Sequence, residues 1–373
     1  MNGDRPRVVI GAGGTGGHIY PGLATADAIR RAHPEAEITF IGTPKGLEQR
    51  LIPAEGYPLE LVDMVPWGGA RRVPMFGAAV VRASLQAGRI LARARPQVVL
   101  GMGGYPSLPV VIAARRRRVP VILHESGAVA GRANMLAARM TRNVALAFSA
   151  AARSFPRHTA RIVGMPLSEE LATFDRGALR SEARAEYGVP DGITLVLVNG
   201  GSQGSVRLNE LALGLGARWI DRDDVRVVLK AGAAHIDNVG ALVEEAGVGH
   251  VLTAVRYLDR MPTAYAAADI AVCRSGAGTV AELATCGLPA VLVPYPFAPD
   301  DHQTANARVL GDAGAALLVA DHDATADNVG PELEALFGSA RLRAMVDAAG
   351  ASSHAGAADA LAAWALELAS QTR

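Results

Sequence analysis

Near its amino terminus the chain has a glycine-rich loop, GAGGTGG, which runs from Gly11 to Gly17 and is followed directly by His18. An apolar, strand-like run precedes the loop, and a helix is predicted over residues 19–32. Glycines allow positive φ angles and close backbone approach, and the free amide groups at the start of a helix bind anions. This arrangement favours the binding of a pyrophosphate or a sugar phosphate.

The same loop has the spacing of a dinucleotide-binding fingerprint, because Gly11, Gly13 and Gly16 fit G-x-G-x-x-G. That fingerprint needs an acidic residue at the end of the next strand to bind a ribose. The next predicted strand, EITFIGT, ends at Thr43 without a carboxylate, and no Walker A sequence is present. These observations argue against a nicotinamide cofactor.

Two more glycine loops follow predicted strands, GGYPS at 103–107 and GGSQG at 200–204. Any one of the three loops is explained equally well as a tight turn between a strand and a helix. All three together exceed what such turns need, so we interpret them as walls of one binding site.

His18 is the first candidate for a general base, although a lone histidine in a helix first turn is commonly an ordinary polar residue. The positive end of a helix lowers the pKa of an imidazole. A neutral His18 could therefore accept a proton from an attacking hydroxyl near neutral pH. His124 and Glu125 end the predicted strand VPVILHE and form a second candidate pair for base or acceptor-binding work.

In the second half, the sequence CRSGAGTVAE at 273–282 ends a strand and begins a helix. Thr279 and Glu282 have the spacing of a capping box, in which the glutamate bonds to the cap amide. The same carboxylate could instead bind two vicinal hydroxyls of a ribose. The spacing leaves both interpretations open.

A proline-rich loop at 294–301 follows a predicted buried strand and leads to His302 and Gln303. The side chains of both residues offer the donors and acceptors that a sugar ring needs. A solvent-exposed loop would have a similar sequence, so this assignment also stays open.

The elements that carry these residues alternate between short apolar strands and helical patterns, which is typical of parallel sheets with right-handed crossovers. The plan begins again near Gly164, so we predict an α/β protein with two Rossmann-like, doubly wound domains. We assign residues 1–163 to the first domain, 164–340 to the second and 341–373 to a carboxyl-terminal helix. Open α/β sheets bind ligands beyond the carboxyl ends of their strands, so we expect the site in an inter-domain cleft.

The composition excludes several classes of protein. A chain of 373 residues, 50% of them hydrophobic, fits two α/β domains rather than a small module. Cys273 and Cys286 are its only cysteines and no Cys/His cluster has zinc-ligand spacing, so we predict neither a disulfide framework nor a metal site. We see no signal-peptide pattern and no run of 18 apolar residues, which predicts a cytoplasmic chain with at most peripheral membrane contact.

The net charge of +1 conceals a strong asymmetry between the halves. Residues 1–163 contain 22 Lys and Arg against 9 Asp and Glu, whereas residues 164–373 contain 15 against 27. A basic half implies an anionic partner such as phospholipid, pyrophosphate or nucleic acid. Aromatic residues make up only 5% of the chain, and we predict no nucleic-acid partner.

The chain carries seven motifs in order: GGTGGH at 13–18, GMGGYPSLP at 101–109, HE at 124–125, AGRAN at 130–134, GGSQG at 200–204, CRSGAGTVAE at 273–282 and HQTANA at 302–307. Together they resemble the motifs of the MurG family over nearly the whole chain. Members of that family transfer N-acetylglucosamine (GlcNAc) from UDP-GlcNAc to undecaprenyl-pyrophosphoryl-MurNAc-pentapeptide (lipid I), which gives lipid II for peptidoglycan. The resemblance implies the B-type glycosyltransferase fold, with the acceptor on the first domain and the donor mainly on the second.

The resemblance also implies a mechanism and residue roles. The reaction is a direct displacement that inverts the anomeric centre, with UDP-GlcNAc as a substrate and without a cofactor or metal. His18 is implied as the base, His124 and Glu125 as further catalytic candidates, and Tyr105 and Asn134 as acceptor or cleft residues. The implied donor-binding residues are Thr15, Gly16, Gly17, Ser202, Leu258, Ala277, Gly278, Thr279, Val280, Ala281, Glu282, His302 and Gln303. Within that set Glu282 is implied to bind the ribose and Gln303 the GlcNAc hydroxyls.

Two departures from the family pattern concern the donor side. Where the family continues HE with two residues ending in Asn, this chain has Ser126 and Gly127, and where the family has Asn-Pro-Val-Arg it has residues 165–168, MPLS. The loss of an amide and a guanidinium could cost about 1 to 3 kcal/mol each. The alternatives are a related transferase with another acceptor or nucleotide sugar, and a catalytically weak UDP-sugar-binding paralogue.

A basic amphipathic stretch near residues 74–95 completes the pattern. Its apolar residues Met75, Phe76, Val80 and Ile90 alternate with Arg71, Arg72, Arg82, Arg89 and Arg93. This is typical of a helix that lies on an anionic membrane surface, and equally of an ordinary crossover helix. The lipid acceptor implied by the resemblance favours the membrane, so we predict a peripheral protein on the cytoplasmic face of the cell membrane.

Overall fold

The structure, a computed structural model, describes residues 5–65, 73–155, 159–201 and 203–371. The chain divides into two units, one formed by Met1–Glu169 with His354–Arg373 and the other by Glu170–Ser353. Each unit is a parallel sheet with helices between successive strands. The predicted α/β class is therefore confirmed.

The first unit is built on seven parallel strands. They are β1 (Arg7–Gly11), β2 (Glu37–Gly42), β3 (Leu59–Leu61), β4 (Val98–Gly101), β5 (Val121–Glu125), β6 (Asn143–Leu146) and β7 (Thr159–Ile162). Its helices are α1 (Gly16–Ala32), α2 (Glu48–Ala54), α3 (Val73–Ala94), α4 (Gly104–Arg116) and α5 (Arg132–Ala137), and α6 (Glu169–Ala172) begins at its boundary. The strand order β3-β2-β1-β4-β5-β6-β7 contains the doubly wound pattern, which reverses direction at β1.

Both faces of this sheet are apolar because helices cover both. Val8 and Ile10 of β1 belong to one core cluster, together with residues of α1, whereas Val9 lies in the other, together with residues of α3 and α4. Successive strand side chains point to opposite faces. A run such as RVVI therefore has no polar alternation, as expected for a strand buried on both sides.

The second unit repeats the plan with six parallel strands. They are β8 (Thr194–Asn199), β9 (Val225–Lys230), β10 (Leu252–Val255), β11 (Ile270–Cys273), β12 (Ala290–Leu292) and β13 (Ala316–Leu318). The helices are α7 (Arg176–Glu186), α8 (Val206–Arg218), α9 (Ile236–Glu245), α10 (Met261–Ala267), α11 (Ala277–Thr285), α12 (His302–Asp312), α13 (Ala326–Leu336) and α14 (Ala340–Ala351). The strand order is β10-β9-β8-β11-β12-β13, and β8 and β11 are neighbours at the reversal.

The carboxyl-terminal segment differs from the sequence-based expectation. The pattern predicts one helix over residues 341–373, whereas the structure has α14 and then α15 (Ala357–Ser370), separated by a turn. Helix α15 belongs to the first unit, where it packs against α1 with Leu361 and Trp364 buried. The break coincides with residues 350–356, GASSHAG, whose glycines and serines have lower helix propensity than the alanine-rich segments on either side.

The division between the units also lies a few residues beyond the predicted boundary, after Glu169 rather than after residue 163. Within the described part of the chain, no helix has both the length and the apolar character required to span a bilayer.

Candidate functional site

The amino-terminal glycine loop joins β1 to α1. Helix α1 begins at Gly16, three residues earlier than predicted, so His18 lies in its first turn. Thr15 is the N-cap residue but its side chain makes no capping bond, and the first turn contains no acidic residue. The first amide groups of a helix have no partner within the helix. Those of Gly16 and Gly17 therefore remain available to an anionic ligand.

His18 is half-buried and packs against the second glycine loop. A Cβ atom on Gly103 would lie 3.0 Å from His18 Cδ2, and one on Gly104 would lie 3.1 Å from His18 Nδ1. Both glycines also have positive φ angles, of 92° and 73°. Larger residues would be strained there and would displace the imidazole, so the second loop is glycine-rich because it holds His18.

The electrostatic environment keeps His18 neutral. Desolvation lowers the pKa of its imidazole, and a hydrogen bond to the Gly13 backbone opposes this only in part. Thr15 Oγ1 lies 3.3 Å from His18 Nδ1. A neutral imidazole with a hydroxyl beside one nitrogen is suited to accept a proton at the other.

His124 lies at the end of β5 in a different environment. It is 1% exposed, its Nε2 donates to the Gly164 carbonyl at 3.1 Å, and its Nδ1 accepts from the Ser126 hydroxyl at 3.2 Å. Burial lowers its pKa to about 4, the hydrogen bond to the Gly164 carbonyl opposes this in part, and the proximity of the His18 imidazole lowers the pKa further. Both nitrogens of this neutral ring are occupied by the protein.

Glu125 closes the loop that follows β5. Its Oε1 accepts from the Gly127 amide at 2.9 Å, and its Oε2 accepts from the Gly131 amide at 2.9 Å and from Asn134 Nδ2 at 3.0 Å. Burial raises the pKa of Glu125, while these three hydrogen bonds lower it. Asn134 Nδ2 also donates to the His124 carbonyl at 2.9 Å. Asn134 Oδ1 is buried and has no partner among the described residues, so it can accept a bond from a ligand.

Tyr105 begins α4 and lies over the first glycine loop. A Cβ atom on Gly14 would be 3.4 Å from its ring, and its hydroxyl is 3.5 Å from Thr43 Oγ1. Sequence reasoning missed the residue behind this contact, Glu48, which is fully buried. The available signal was a charged residue shortly after Gly42 and Gly46, two glycines that leave room for its side chain.

In the second unit, the glycine loop after β8 is closed by its own backbone. Asn199 Oδ1 accepts from the Gly201 amide at 2.9 Å, and Gly204, with a φ angle of 78°, packs directly against the Ala231 carbonyl. Ser205 ends the loop as the N-cap of α8. The predicted donor residue Ser202 lies outside the described residues.

Glu282 does not form a capping box, so that interpretation is wrong. Helix α11 begins at Ala277 with Gly276 as its N-cap, which places Thr279 and Glu282 inside the helix. Tyr265 donates its hydroxyl proton to Glu282 Oε2 at 2.6 Å. Burial raises the pKa of Glu282, while the Tyr265 bond and the charge of Lys230 lower it.

One oxygen of Glu282 remains open to a ligand. Glu282 Oε1 has no hydrogen-bond partner among the described residues, and a Cβ atom on Gly278 would lie 3.7 Å from it. The first turn of α11 has no side-chain cap, so its amide groups face the same end of the helix. Val280 and Ala281 of the same helix are buried, and so is the predicted donor residue Leu258.

Gln303 is held at the start of α12 by two hydrogen bonds, and a third holds its partner Ser275. Its Oε1 accepts from the Tyr295 amide at 3.0 Å, its carbonyl accepts from the Ser275 hydroxyl at 2.8 Å, and the Ser275 carbonyl accepts from Asn306 Nδ2 at 3.1 Å. The Nε2 amide of Gln303 therefore remains for a ligand. His302 Nδ1 bonds to the Pro299 carbonyl at 2.7 Å, so Nε2 is its free nitrogen.

The predicted amphipathic stretch forms α3, but its burial differs from the expectation. Phe76, Val80 and Ile90 pack against the core of the first unit, as in an ordinary crossover helix. The apolar residues exposed on its outer face are Met75 (53%), Val81 (61%) and Leu85 (54%). The predicted arginines are Arg82, Arg89 and Arg93, which are exposed, and Arg71 and Arg72, which lie outside the described residues.

No group of three or more metal-ligating side chains is found in the parts of the chain that the structure describes. The first unit offers a neutral imidazole, the uncapped amides of α1 and the Asn134 side chain, and the second unit offers the uncapped amides of α11, one open carboxylate oxygen and the Gln303 side chain. This set suits the binding of a nucleotide sugar and the removal of a proton from a hydroxyl.

Two family models match the chain, the glycosyltransferase family 28 N-terminal domain at residues 8–146 and the glycosyltransferase family 28 C-terminal domain at residues 195–361. A relative from Nocardioides sp. is named UDP-N-acetylglucosamine–N-acetylmuramyl-(pentapeptide) pyrophosphoryl-undecaprenol N-acetylglucosamine transferase. It is 44% identical, and the match covers 97% of this chain and 98% of the relative. A relative of the same name from Mycolicibacterium smegmatis is 41% identical, with 98% and 95% covered.

Solved structures show the same similarity. The crystal structure of MurG from Acinetobacter baumannii matches with a TM-score of 0.77 and 28% identity, covering 97% of this chain and 99% of that one. The crystal structure of a calicheamicin glycosyltransferase matches with a TM-score of 0.65 over 97% and 98% of the two chains. Its identity is only 15%, so it shows a shared fold alone.

Proposed function

This chain belongs to glycosyltransferase family 28 and, within it, to the MurG family, and we propose from this that it transfers GlcNAc from UDP-GlcNAc to lipid I, forming lipid II for peptidoglycan. The membership confirms the predicted hexosyltransferase class and the B-type fold of two α/β domains. The observation that carries the chemistry is the neutral, half-buried His18 beside the uncapped first turn of α1.

In the proposed reaction the acceptor 4-hydroxyl attacks C1 of GlcNAc. His18 takes the hydroxyl proton as the new C–O bond forms, and the C1–O bond to the diphosphate breaks with its electron pair passing to the phosphate oxygen. Attack from the face opposite the leaving group inverts the anomeric centre. Helix-end amides stabilise the negative charge that develops on UDP, and no covalent intermediate is required.

The donor is assigned mainly to the second unit. The open Oε1 of Glu282 accepts from the ribose hydroxyls, the amides at the start of α11 lie toward the uridine diphosphate, and Gln303 Nε2 donates to a GlcNAc hydroxyl. His302 offers its free Nε2 to the same sugar. UDP-GlcNAc is the substrate in this scheme, and no cofactor takes part.

The acceptor is assigned to the first unit. Asn134 Oδ1 is the buried acceptor that a ligand hydroxyl or amide can satisfy, and Tyr105 borders the same loop. His124 and Glu125 are already saturated by bonds to the protein, so we assign them to positioning Asn134 and the loop after β5 rather than to proton transfer.

The outer face of α3 is proposed to lie on the membrane. Met75, Val81 and Leu85 are exposed, and the exposed arginines of α3 add positive charge that attracts anionic lipid, although Arg82 and Arg93 also pair with Asp63 and Glu60. A lipid-linked acceptor requires the enzyme to work at the bilayer, so this face supports a peripheral location on the cytoplasmic side of the cell membrane.

A transfer assay tests the function. Purified protein is given a short-chain lipid I analogue with radiolabelled UDP-GlcNAc, UDP-Glc or UDP-GalNAc, and we expect product with UDP-GlcNAc at a kcat/KM at least about 10-fold above the others. Preference for another donor, or transfer only to another acceptor, would show that Ser126, Gly127 and residues 165–168 mark a changed specificity. Binding of UDP without transfer to any acceptor would favour a binding paralogue.

A further inference from the structure

A buried carboxylate lies behind the amino-terminal glycine loop and has no role in the scheme above. Glu48 is fully buried, and its oxygens accept three hydrogen bonds. Glu48 Oε2 accepts from the Gly14 amide at 3.1 Å, and Glu48 Oε1 accepts from the Thr43 amide at 2.9 Å and the Thr43 hydroxyl at 2.7 Å. The carboxylate thus joins the loop after β1 to the end of β2.

Three glycines provide the space for this carboxylate. A Cβ atom on Gly13 would lie 2.6 Å from Glu48 Oε1, one on Gly42 would lie 2.7 Å from its Cγ, and one on Gly46 would overlap Oε2. None of the three has a positive φ angle. These positions therefore need glycine because of the close approach of Glu48.

The bonds continue from Glu48 to Tyr105. A threonine hydroxyl has one proton, and that of Thr43 is donated to Glu48 Oε1. Thr43 Oγ1 can therefore only accept from the Tyr105 hydroxyl, which lies 3.5 Å away. The Glu48 carboxylate thus leaves Thr43 Oγ1 as the acceptor in this long contact, which tethers the hydroxyl end of the ring that lies against Gly14.

We propose that Thr43 and Glu48 are positioning residues for transfer, which hold the Gly14 backbone and the ring of Tyr105 in one arrangement beside His18. The proposal rests on the proposed function, because it assigns Tyr105 to the acceptor side. It deepens that function by adding two residues that touch neither substrate. Disruption of the pair should impair use of the acceptor while the binding of UDP, which is assigned mainly to the second unit, persists.

A double-mutant cycle tests the link between Thr43 and Tyr105. Thr43→Val replaces the hydroxyl with a methyl group of nearly the same shape, and Tyr105→Phe removes the other hydroxyl. We expect each single variant to lower kcat/KM for the lipid I analogue by at least about 10-fold, since small misplacements near a reacting centre are costly. The double variant should fall no further than the worse single variant. Additive losses, or activities within about 2-fold of wild type, would overturn the proposal.

Matched variants separate positioning from general destabilisation. Thr39→Val makes the same chemical change inside β2, which ends just before Thr43, at a hydroxyl without a partner among the described residues, and Thr43→Ser keeps the hydroxyl while removing only a methyl group. Thr39→Val should retain full kcat/KM, and Thr43→Ser should recover most of what Thr43→Val loses. Equal losses in all three would assign the effect to the packing of β2 and would reject the proposal.

Hydrogen–deuterium exchange provides a readout that does not need activity. In Glu48→Gln one of the two acceptor oxygens becomes an NH2 group, which faces either the Gly14 amide or the donors of Thr43, so the link between them is broken and the loop should open. We expect exchange in peptides covering residues 11–18 to accelerate at least about 10-fold, with exchange in the second unit unchanged. Unchanged exchange in residues 11–18 would overturn the positioning role even if the transfer assay failed for all substrates. A folded Glu48→Gln protein with rapid loop exchange would support it.

Discussion

Two histidines of the first unit show how burial assigns different roles to one residue type. His18 is half-buried and keeps contact with solvent, whereas His124 is 1% exposed and has both nitrogens bonded. Desolvation lowers the pKa of both imidazoles. Both are therefore neutral at pH 7, but only His18 can exchange a proton with a ligand.

Replacement of His18 is the direct test of its role as base. We expect His18→Ala to lower kcat by about 10² or more, while the Kd for UDP changes little. Because the pKa of His18 is lowered from 6.5, the wild-type rate should be constant from pH 7 to 8 and should decline only below pH 6.5. A kcat within about 3-fold of wild type would return His18 to an ordinary polar residue of a helix first turn.

His124 should make the stability of the protein depend on pH. Its pKa is about 4 in the folded state against an ordinary value of 6.5, so the unfolded chain binds the proton first as the pH falls. Stability is therefore present above pH 6.5 and is lost toward pH 4. Urea unfolding should show a loss of about 2 kcal/mol between pH 7 and pH 5 that is missing in His124→Gln. The same pH dependence in both proteins would contradict this.

Removing the charge of Glu282 tests whether this residue binds a ligand or only stabilises the structure. Glu282→Gln keeps the side-chain shape, and we expect the Kd for UDP to rise about 10-fold because a charged acceptor for the ribose is lost. Isothermal titration calorimetry measures this, with Glu245→Gln on the exposed face of α9 as the matched control. An unchanged Kd would leave Glu282 with only its bond to Tyr265.

At the scale of elements, α3 shows why helical periodicity predicts two faces but not their environments. Its sequence contains apolar residues on more than one side, and arginines among them. Packing against α4 buries Ile90 and partly covers Phe76, which leaves Val81 and Leu85 outward. The residues proposed to contact the membrane are therefore Val81 and Leu85 rather than Phe76 and Ile90.

The outer face of α3 can be tested by vesicle flotation. We expect Val81→Glu with Leu85→Glu to lower binding to anionic vesicles by at least about 10-fold, because the change removes apolar contact and adds repulsion. Leu242→Glu, an exposed leucine of α9 in the second unit, is the matched control and should bind like wild type. Equal, negligible binding of the wild type to anionic and neutral vesicles would reject the membrane proposal.

At the scale of the whole molecule, the chain returns to its first unit after building the second. Helix α15 packs on α1, and Arg161 lies 4.3 Å from the centre of the Trp364 ring. Residues 354–373 therefore complete a core that begins near residue 8. We therefore expect the contiguous segment 1–163 to be less stable than the whole first unit, because part of the apolar core comes from the other end of the sequence.

Truncation of Trp364 tests this dependence. We expect Trp364→Ala to lower the free energy of unfolding of the first unit by about 3 to 5 kcal/mol, the cost of removing a buried aromatic side chain. Urea unfolding monitored by circular dichroism measures the loss. The proposed UDP site lies in the second unit, so the folded variant should bind UDP with the same Kd as the wild type. A loss below about 1 kcal/mol would show that α15 is not part of the core.

The sequence by itself determined the features that depend on neighbouring residues. Apolar runs ending in glycine predicted parallel strands, and the loops at 103–107 and 200–204 predicted tight connections at strand ends. The edge strands β3, β7 and β13 are only three or four residues long, which is too short for a sequence pattern to predict them. The family motifs are short continuous segments of sequence, and their resemblance to the MurG family predicted the transfer of GlcNAc.

Tertiary structure alone decided which groups are free to act. The Glu48 carboxylate accepts from the Gly14 amide, and Glu282 Oε2 accepts from the Tyr265 hydroxyl. His124 Nε2 donates to the Gly164 carbonyl. These partners are 17 to 40 residues apart in sequence, and no local pattern records their distance. Hydrogen bonding and desolvation depend on what lies within a few ångströms of an atom, so only the folded chain distinguishes a reactive side chain from one that is already bonded.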